Sequence, residues 1–337
     1  MRKNTIDGLK GQLNKNSKVS IIGHKNPDGD ALGSTLGLHL FMKELGITSQ
    51  VIMPNSSPDF LAWLPSIDTI LCYDNDKAQC EEELDNSDFV FTLDFNHLDR
   101  TGSLGDHLQK LNTNFVMIDH HQQPADYAPY MLSDTSIAST CELVHEYITT
   151  QYPETKLTAD IASCLYTGIM TDTGSFRFPS TTSKTHRIIA DLIDAGANNS
   201  EIHQNTFDNN AESRLHLLGR ALQNLKVLKD LSTAYISLSQ DDLNQYGFKK
   251  GDTEGFVNYA LSLKGIKFAV IFIENKAENI IKISFRSIGD FDVNSFARNH
   301  YNGGGHNNAA GGKSDLDLNT TLEKFEETLN NYRKELS

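Results

Sequence analysis

Strand-like and helix-like stretches alternate along the first half of the chain, and this alternation constrains the fold more than any other feature. A β-branched run at 19–22 ends at Gly23, and leucines recur at four-residue spacing across 31–45. Further strands are predicted at 50–53, 89–93 and 115–118, and further helices around 138–150 and 158–170. Strands that alternate with helices predict an α/β fold whose parallel sheet is covered on both faces.

The pattern changes in the second half of the chain. The region before residue 230 is mostly helical and polar, and β-rich stretches follow at 233–238, 268–273 and 280–285. They indicate a smaller, mixed-sheet α/β domain that ends in a glycine-rich loop and a final helix. For 337 residues, two domains are the natural expectation. We predict a first domain at 1–185, a helical connector at 186–230 and a second domain at 231–337.

Several features bear on location and partners. Residues 1–16 lack the apolar stretch of a signal peptide and are interpreted as a short polar amphipathic helix. No apolar run reaches the length of a membrane span, and no cysteine lies in a C-x-x-C pair. These features predict a cytoplasmic protein with reduced thiols and no membrane partner. The net charge of −14 argues against tight binding of long nucleic acid but not of a small phosphorylated ligand.

Metal-ligand residue types follow four of the predicted elements. They are His24, Asp28 and Asp30 after 19–22, Asp94 after 89–93, His120 and His121 after 115–118, and Asp172 after 158–170. Because α/β folds place ligands at the carboxyl ends of parallel strands, we expect these side chains at one rim. Carboxylate and imidazole ligands suit Mn²⁺ or Mg²⁺, and one carboxylate can bridge two such ions, as in two-metal hydrolases. Each residue alone could be a turn or capping residue, and Asp30 could cap the helix at 31–45.

A second signal lies near the end of the chain. The run 303–312 is rich in glycine and contains His306. Its backbone N–H groups could bind an anion, although a glycine run can also be a flexible turn. Upstream, Arg286 and Ser287 end a predicted strand, where the arginine is either a phosphate ligand or an exposed surface residue.

These motifs together resemble a known family. The Asp119-His120-His121 triplet, the loop 26–31, Asp94 and the segment 171–174 resemble the DHH phosphoesterase superfamily. The run 303–312 with Arg286 and Ser287 resembles the DHH-associated C-terminal domain. The similarity is closest to oligoribonucleases of the nanoRNase A type, which also dephosphorylate 3′-phosphoadenosine 5′-phosphate (PAP). One departure is Asn302, which stands where many members have a fourth glycine.

The resemblance implies a role for each site residue. His24 and Asp28 bind one metal, Asp30, His120 and Asp172 bind the other, and Asp94 bridges them. His121 is catalytic together with Asp94, either as a phosphate contact or as the acid that protonates the leaving oxygen. The terminal phosphate of the substrate is bound by Arg286, Ser287, Gly303, Gly304, Gly305 and His306. The active site then lies between the two domains.

The implied function is hydrolysis of short, single-stranded, 5′-phosphorylated oligonucleotides to mononucleotides, together with dephosphorylation of PAP. The expected cofactors are two divalent cations, Mn²⁺ or alternatively Mg²⁺. The expected partners are short RNA, dinucleotides and PAP, without long duplex nucleic acid, and a homodimer is left open. The alternatives are a linear or cyclic di-adenylate phosphodiesterase, an inorganic pyrophosphatase and a non-catalytic nucleotide sensor. An exonuclease of the RecJ kind needs added nucleic-acid-binding domains and a less acidic surface.

Overall fold

The computed structural model describes residues 2–336. The chain divides into two compact units, Met1–Asn209 and Asn210–Ser337. The strands of the first unit are β1 (Arg2–Asn4), β2 (Lys18–Ile22), β3 (Thr48–Met53), β4 (Leu71–Cys72), β5 (Phe89–Leu93), β6 (Asn114–Asp119) and β7 (Tyr130–Asp134). Its helices are α1 (Gly29–Glu44), α2 (Lys77–Asp85), α3 (Gly105–Leu108), α4 (Thr140–Gln151), α5 (Ala159–Asp172), α6 (Ser183–Asp194) and α7 (Asn199–Phe207).

The first unit is built on a seven-stranded sheet in the order β1-β7-β6-β5-β2-β3-β4. All neighbouring strands are parallel except β1, which runs antiparallel to β7. Both faces of the sheet are buried, because Phe89, Phe91 and Leu93 of β5 pack into one apolar core and Val90 packs into another. The predicted parallel sheet with two covered faces is therefore confirmed.

The N-terminal segment does not form the predicted amphipathic helix. Residues of β1 pair with β7, with Arg2 opposite Asp134 and Asn4 opposite Leu132. The only helical turn between residues 2 and 16 is a 3₁₀ turn at Leu9–Gly11, preceded by Gly8 with a φ of 95°. A glycine in the left-handed conformation interrupts an α-helix, and the free edge of β7 supplies the hydrogen-bond partners that the first residues need.

The second unit contains a six-stranded mixed sheet in the order β12-β13-β11-β10-β9-β8. Its strands are β8 (Lys226–Leu228), β9 (Thr233–Leu238), β10 (Phe268–Asn275), β11 (Ile280–Ser287), β12 (Gly304–His306) and β13 (Ala309–Ser314). Its helices are α8 (Glu212–Gln223), α9 (Gln240–Gln245), α10 (Phe256–Leu261), α11 (Val293–His300), α12 (Leu318–Leu329) and α13 (Arg333–Leu336). Only β9 and β10 are parallel, so the predicted mixed sheet is confirmed.

Two sequence interpretations are refined by this architecture. The glycine-rich run is a β-hairpin, formed by β12 and β13, instead of a loop. Helices α6 and α7 belong to the first unit and α8 to the second, so the predicted connector at 186–230 contributes to both.

None of the helices formed by residues 2–336 is both long and apolar enough to span a bilayer. All four cysteines are free thiols, and three of them are buried.

Candidate active site

The six predicted ligand residues lie at the carboxyl-terminal edge of the first sheet and at the ends of two helices. His24 follows β2, Asp94 follows β5 and His120 follows β6 directly. Asp28 caps the N-terminus of α1, where its Oδ1 accepts hydrogen bonds from the backbone N–H groups of Asp30 and Ala31, both at 3.0 Å. Asp30 lies in the first turn of α1, and Asp172 is the last residue of α5.

The side chains form two groups that share one carboxylate. In the first group, His24 Nε2 lies 3.8 Å from Asp28 Oδ1 and 3.5 Å from Asp94 Oδ2. In the second, His120 Nε2 lies 3.8 Å from Asp30 Oδ2, 3.4 Å from Asp172 Oδ2 and 3.5 Å from Asp94 Oδ1.

The ligand atoms of His24, Asp28 and Asp94 lie within 4.8 Å of one another, and so do those of Asp30, His120 and Asp172. The two oxygens of Asp94 thus face different histidines. This is the geometry that a carboxylate bridging two metal ions requires.

The N-terminus of α4 holds the acidic side of this cluster. The backbone N–H of Thr140 donates to Asp30 Oδ2 at 2.6 Å, and that of Cys141 donates to Asp30 Oδ1 at 2.9 Å. The Thr140 hydroxyl donates to Asp94 Oδ1 at 2.9 Å. These groups fix both carboxylates and place the positive end of a helix dipole beside them.

Burial and mutual repulsion dominate the electrostatics of the cluster. Burial, followed by the charges of Asp94 and Asp172, raises the pKa of Asp30 well above its ordinary value. Burial and the carboxylates Asp28 and Asp94 raise the pKa of Asp172 to about 7, against the opposing effect of His120. Burial would lower the pKa of His120, but Asp94 and Asp172 outweigh it and raise that pKa. A cluster of buried carboxylates thus needs positive charge, which divalent cations would supply.

His121 is fixed by the first residue of its own triplet. Its Nδ1 lies 2.7 Å from Asp119 Oδ1, and Asp119 is fully buried at the end of β6. This contact makes Nδ1 the nitrogen that carries a proton and leaves Nε2 as the other polar atom of the ring. Nδ1 also lies 3.7 Å from Asp94 Oδ1, so His121 belongs to the same cluster.

The predicted phosphate-binding residues of the second unit lie on adjacent strands. Arg286 of β11 is opposite Ala309 of β13, and Ala309 is opposite His306 of β12. Residues directly opposite each other in antiparallel strands share a face of the sheet. The register therefore sets Arg286 and His306 on one face, on either side of a small alanine.

Two glycines of the hairpin lie where the backbone packs closely. A Cβ on Gly303 would lie 2.0 Å from the carbonyl oxygen of Gly311, and one on Gly305 would lie 2.4 Å from that of Ala309. The N–H of Gly303 donates to Ala297 O and that of Gly305 to Asn294 Oδ1. Both N–H groups are thus satisfied inside the fold.

Two further predicted residues are explained by their local contacts. The Ser287 hydroxyl donates to Phe291 O at 2.7 Å and accepts from Asn308 Nδ2 at 2.9 Å, so it links the end of β11 to both segments. Asn302 adopts a φ of 47°, a conformation that glycine takes freely and that asparagine tolerates better than most residues. Its presence in place of a fourth glycine is therefore compatible with the same backbone path.

Comparison with known proteins identifies the family. The family model described as "DHH family, N-terminal domain" matches residues 18–169, and the "DHHA1 domain" model matches residues 231–335. The crystal structure of an exopolyphosphatase-related protein from Bacteroides fragilis is 38% identical, with a TM-score of 0.91 over 95% of this chain and 94% of that one. The chain belongs to the DHH family.

Curated relatives give the same result over most of the chain. A Bacillus subtilis protein is 28% identical over 86% of this chain and 86% of its own length. A Thermus thermophilus protein is 29% identical over 95% of this chain and 90% of its own length. Both are named bifunctional oligoribonuclease and PAP phosphatase NrnA. The predictions of a DHH protein with a DHHA1 domain, and of a phosphoester hydrolase, are confirmed.

Glycines bring the two ligand-bearing helices of the DHH unit into close contact. A Cβ on Gly33 of α1 would lie 2.4 Å from the carbonyl oxygen of Cys164 on α5. A Cβ on Gly168 of α5 would lie 2.2 Å from Cys141 Sγ and 2.9 Å from Asp30 Oδ1. This packing fixes the start of α1 against α5 and thereby sets the position of Asp30.

We expect Gly168→Ala to destabilise the protein by about 1–3 kcal/mol, because the added methyl group has no room and must displace Cys141 or Asp30. Gly219→Ala is the matched control, since Gly219 lies inside α8 and its added Cβ would meet no atom within 4 Å. That control should stabilise the protein by up to about 1 kcal/mol. Urea unfolding measures both, and equal stabilities of the two variants would contradict this account of the helix contact.

Sequence reasoning missed the groups that support the cluster. The pattern Ser139-Thr140-Cys141-Glu142 matches the S-x-x-E signature of a helix start, and Ser139 does cap α4. A helix N-terminus near predicted carboxylates was the signal available for Thr140. No comparable signal exists for Asn294 in the DHHA1 unit. Its Oδ1 accepts hydrogen bonds from Gly305 N and from Arg298 Nε, and so links the hairpin to α11.

Proposed function

We propose that the chain is a metal-dependent phosphoesterase that hydrolyses short 5′-phosphorylated oligonucleotides to mononucleotides and removes the 3′-phosphate of PAP. The observation that carries the proposal is the pair of ligand groups sharing Asp94. The names of the B. subtilis and T. thermophilus relatives support the choice of substrates. An enzyme is favoured over a nucleotide sensor, because each position predicted to bind metal carries an aspartate or a histidine.

The proposed metal ligands are His24 and Asp28 at one site and Asp30, His120 and Asp172 at the other, with Asp94 between them. Bound there, divalent cations would supply Lewis-acid stabilisation of the phosphoryl oxygens and activation of water. Mn²⁺ is the proposed ion because the ligand set mixes imidazole with carboxylate, and Mg²⁺ is the alternative.

The chain's own residues complete the proposed reaction. Thr140 and the α4 amides hold Asp94 and Asp30 in place as charge develops on the substrate. His121, oriented by Asp119 through Nδ1, turns Nε2 towards the leaving oxygen and, when both ring nitrogens are protonated, donates the Nε2 proton to it. Arg286 and His306 bind the terminal phosphate of the substrate in the DHHA1 unit.

We expect Arg286→Gln to raise KM for a 5′-phosphorylated dinucleotide by roughly 10- to 100-fold, because a charged hydrogen bond to phosphate is lost. The same change should have little effect on the dinucleotide with a 5′-hydroxyl group. Lys282→Gln is the control, since Lys282 is an exposed cation on the same strand and pairs with Glu278 at 2.7 Å. Equal effects of Arg286→Gln on both substrates would remove Arg286 from the anchoring role.

The preference for short substrates is tested by a length series. The net charge of −14 means that each added nucleotide brings more negative charge towards an acidic protein. We expect kcat/KM for 5′-phosphorylated RNAs, from two to about twenty nucleotides at fixed salt, to fall with length because this repulsion acts within a Debye length of about 10 Å. A flat or rising profile would instead indicate an enzyme that binds long strands.

Competing substrates and the cellular location are also part of the proposed function. The name of the B. fragilis protein makes polyphosphate a competing substrate, and linear or cyclic di-adenylate and pyrophosphate are the others. A cytoplasmic location is proposed because the four cysteines are free thiols. Long duplex nucleic acid is not a proposed partner, and a homodimer stays open.

A further inference from the structure

A cavity of about 640 Å³ opens on the DHH unit next to the segment that follows Asp172. Its aromatic lining comes from Tyr166 of α5 and from Phe176. Its polar lining comes from the start of α7 and from the residue after that helix: Asn199, Ser200, His203, Gln204 and Asp208. None of these residues has a role in the proposed metal or phosphate sites.

The backbone that presents Phe176 is unusual. Gly174, Ser175 and Phe176 have successive φ values of 56°, 61° and 66°. A non-glycine residue in this region is strained, and such strain is concentrated at ligand sites. Two hydrogen bonds maintain it, from Ser175 N to Met170 O at 2.8 Å and from Phe176 N to Thr173 Oγ1 at 3.0 Å. The fold therefore places this aromatic ring at a definite position, four residues after a proposed metal ligand.

The buried side of the cavity is aromatic with one polar group. Tyr166 is 4% exposed, and its ring packs edge-to-face on Phe176 with centroids 5.8 Å apart. Among the described residues 2–336, none forms a hydrogen bond with the Tyr166 hydroxyl, and burial raises the pKa of that group. The hydroxyl therefore stays neutral and has its hydrogen-bonding capacity free for a ligand.

The charges around the cavity disfavour a phosphate. Its lining residues include no lysine or arginine, and they include Asp208, whose Oδ2 lies 3.4 Å from His203 Nδ1. The amide side chains of Asn199 and Gln204 offer both donors and acceptors at the exposed rim. Aromatic surface below and amide groups at the edge suit a flat, neutral ring with polar edges, which is how proteins bind unstacked bases.

We propose that this cavity binds a nucleobase of the substrate, with Phe176 as the stacking surface and Tyr166 and Gln204 as contacts to the base edge. Tyr166 lies six residues before Asp172 on α5 and Phe176 four residues after it, so one short segment carries both the cavity's aromatic residues and a proposed metal ligand. The inference rests on the proposed nucleotide substrate and adds a base-dependent site within the DHH unit.

The test compares 5′-phosphorylated diadenylate with two analogues that carry an abasic residue in place of the first or the second nucleotide. For the wild-type enzyme, we expect kcat/KM to fall by about five- to a hundredfold for the analogue that lacks the base bound in the cavity, since stacking of a base contributes on that scale. Phe176→Leu keeps an apolar side chain but loses the aromatic face. For this variant, the ratio of kcat/KM on the parent to kcat/KM on that analogue should fall towards one. Tyr166→Phe and Gln204→Ala should lower the same ratio in part.

Tyr259→Ala is the control, because Tyr259 is an exposed aromatic residue on α10 that does not line the cavity. Its ratio should equal that of the wild type. Wild-type enzyme that cleaves both abasic analogues as fast as the parent, or variants that keep the wild-type ratio, would overturn the base site. Failure to cleave any nucleotide would instead overturn the proposed function, so the two failures are distinguishable.

Discussion

Asp94→Asn should lower kcat/KM for PAP and for a 5′-phosphorylated dinucleotide by at least a thousandfold, or about 4 kcal/mol of transition-state stabilisation. The two oxygens of Asp94 face different histidines, at 3.5 Å in each case. Asparagine keeps the shape but loses the charge, so it weakens both proposed metal sites together.

The substitution is also unusually safe for the fold. Asp94 has a φ of 65°, and asparagine is among the non-glycine residues that best tolerate this left-handed conformation. Circular dichroism, and thermal unfolding of the metal-free protein, should therefore remain close to wild type. Asp106→Asn, at an exposed position in α3, is the control and should keep full activity. Wild-type activity in Asp94→Asn would show that no bridged metal pair takes part in the reaction.

Exhaustive chelation should abolish hydrolysis, and Mn²⁺ should restore it better than Mg²⁺. The reason is the ligand set, in which imidazoles of His24 and His120 accompany the carboxylates, whereas Mg²⁺ prefers oxygen ligands alone. Metal removal also leaves repelling carboxylates buried together. Re-addition of Mn²⁺ should therefore raise the Tm of the stripped protein, because a ligand that binds only the folded state stabilises it.

Activity and Tm together make this prediction specific. Asp94→Asn serves as the matched comparison, since it should show a smaller Mn²⁺-dependent rise in Tm than the wild type. Chelated protein that keeps full activity, with no Tm response to Mn²⁺, would contradict the metal-dependent account.

The sequence predicted the rim of the first sheet well because strand ends determine it. A parallel strand is recognised by its apolar run, and the residue that follows its carboxyl end is fixed at one edge of the sheet. His24, Asp94 and His120 each follow such a run, and the structure brings both histidines to 3.5 Å from an oxygen of Asp94. The parallel topology therefore links a local sequence pattern, the apolar run of a strand, to a position at one edge of the sheet.

Features that depend on pairing between distant segments were harder to predict. Strand β1 exists because β7 offers a free edge, which no local pattern in residues 2–4 reports. The hairpin at 304–314 looked like a loop because its glycines carry no strand signal, and they are needed where backbone atoms approach closely. The cavity at Phe176 depends on the left-handed backbone after Asp172, which the segment's composition does not indicate.

A substrate panel tests directly whether the protein is a hydrolase of PAP and short 5′-phosphorylated oligonucleotides. The Mn²⁺-loaded protein would be assayed for kcat/KM on PAP, diadenylate, a 5′-phosphorylated RNA 5-mer, cyclic di-AMP, pyrophosphate and polyphosphate at one pH and ionic strength. We expect PAP and the short 5′-phosphorylated oligonucleotides to be hydrolysed most efficiently, and Asp94→Asn to lose all of these activities together. A higher kcat/KM on pyrophosphate or polyphosphate than on any nucleotide would contradict this expectation.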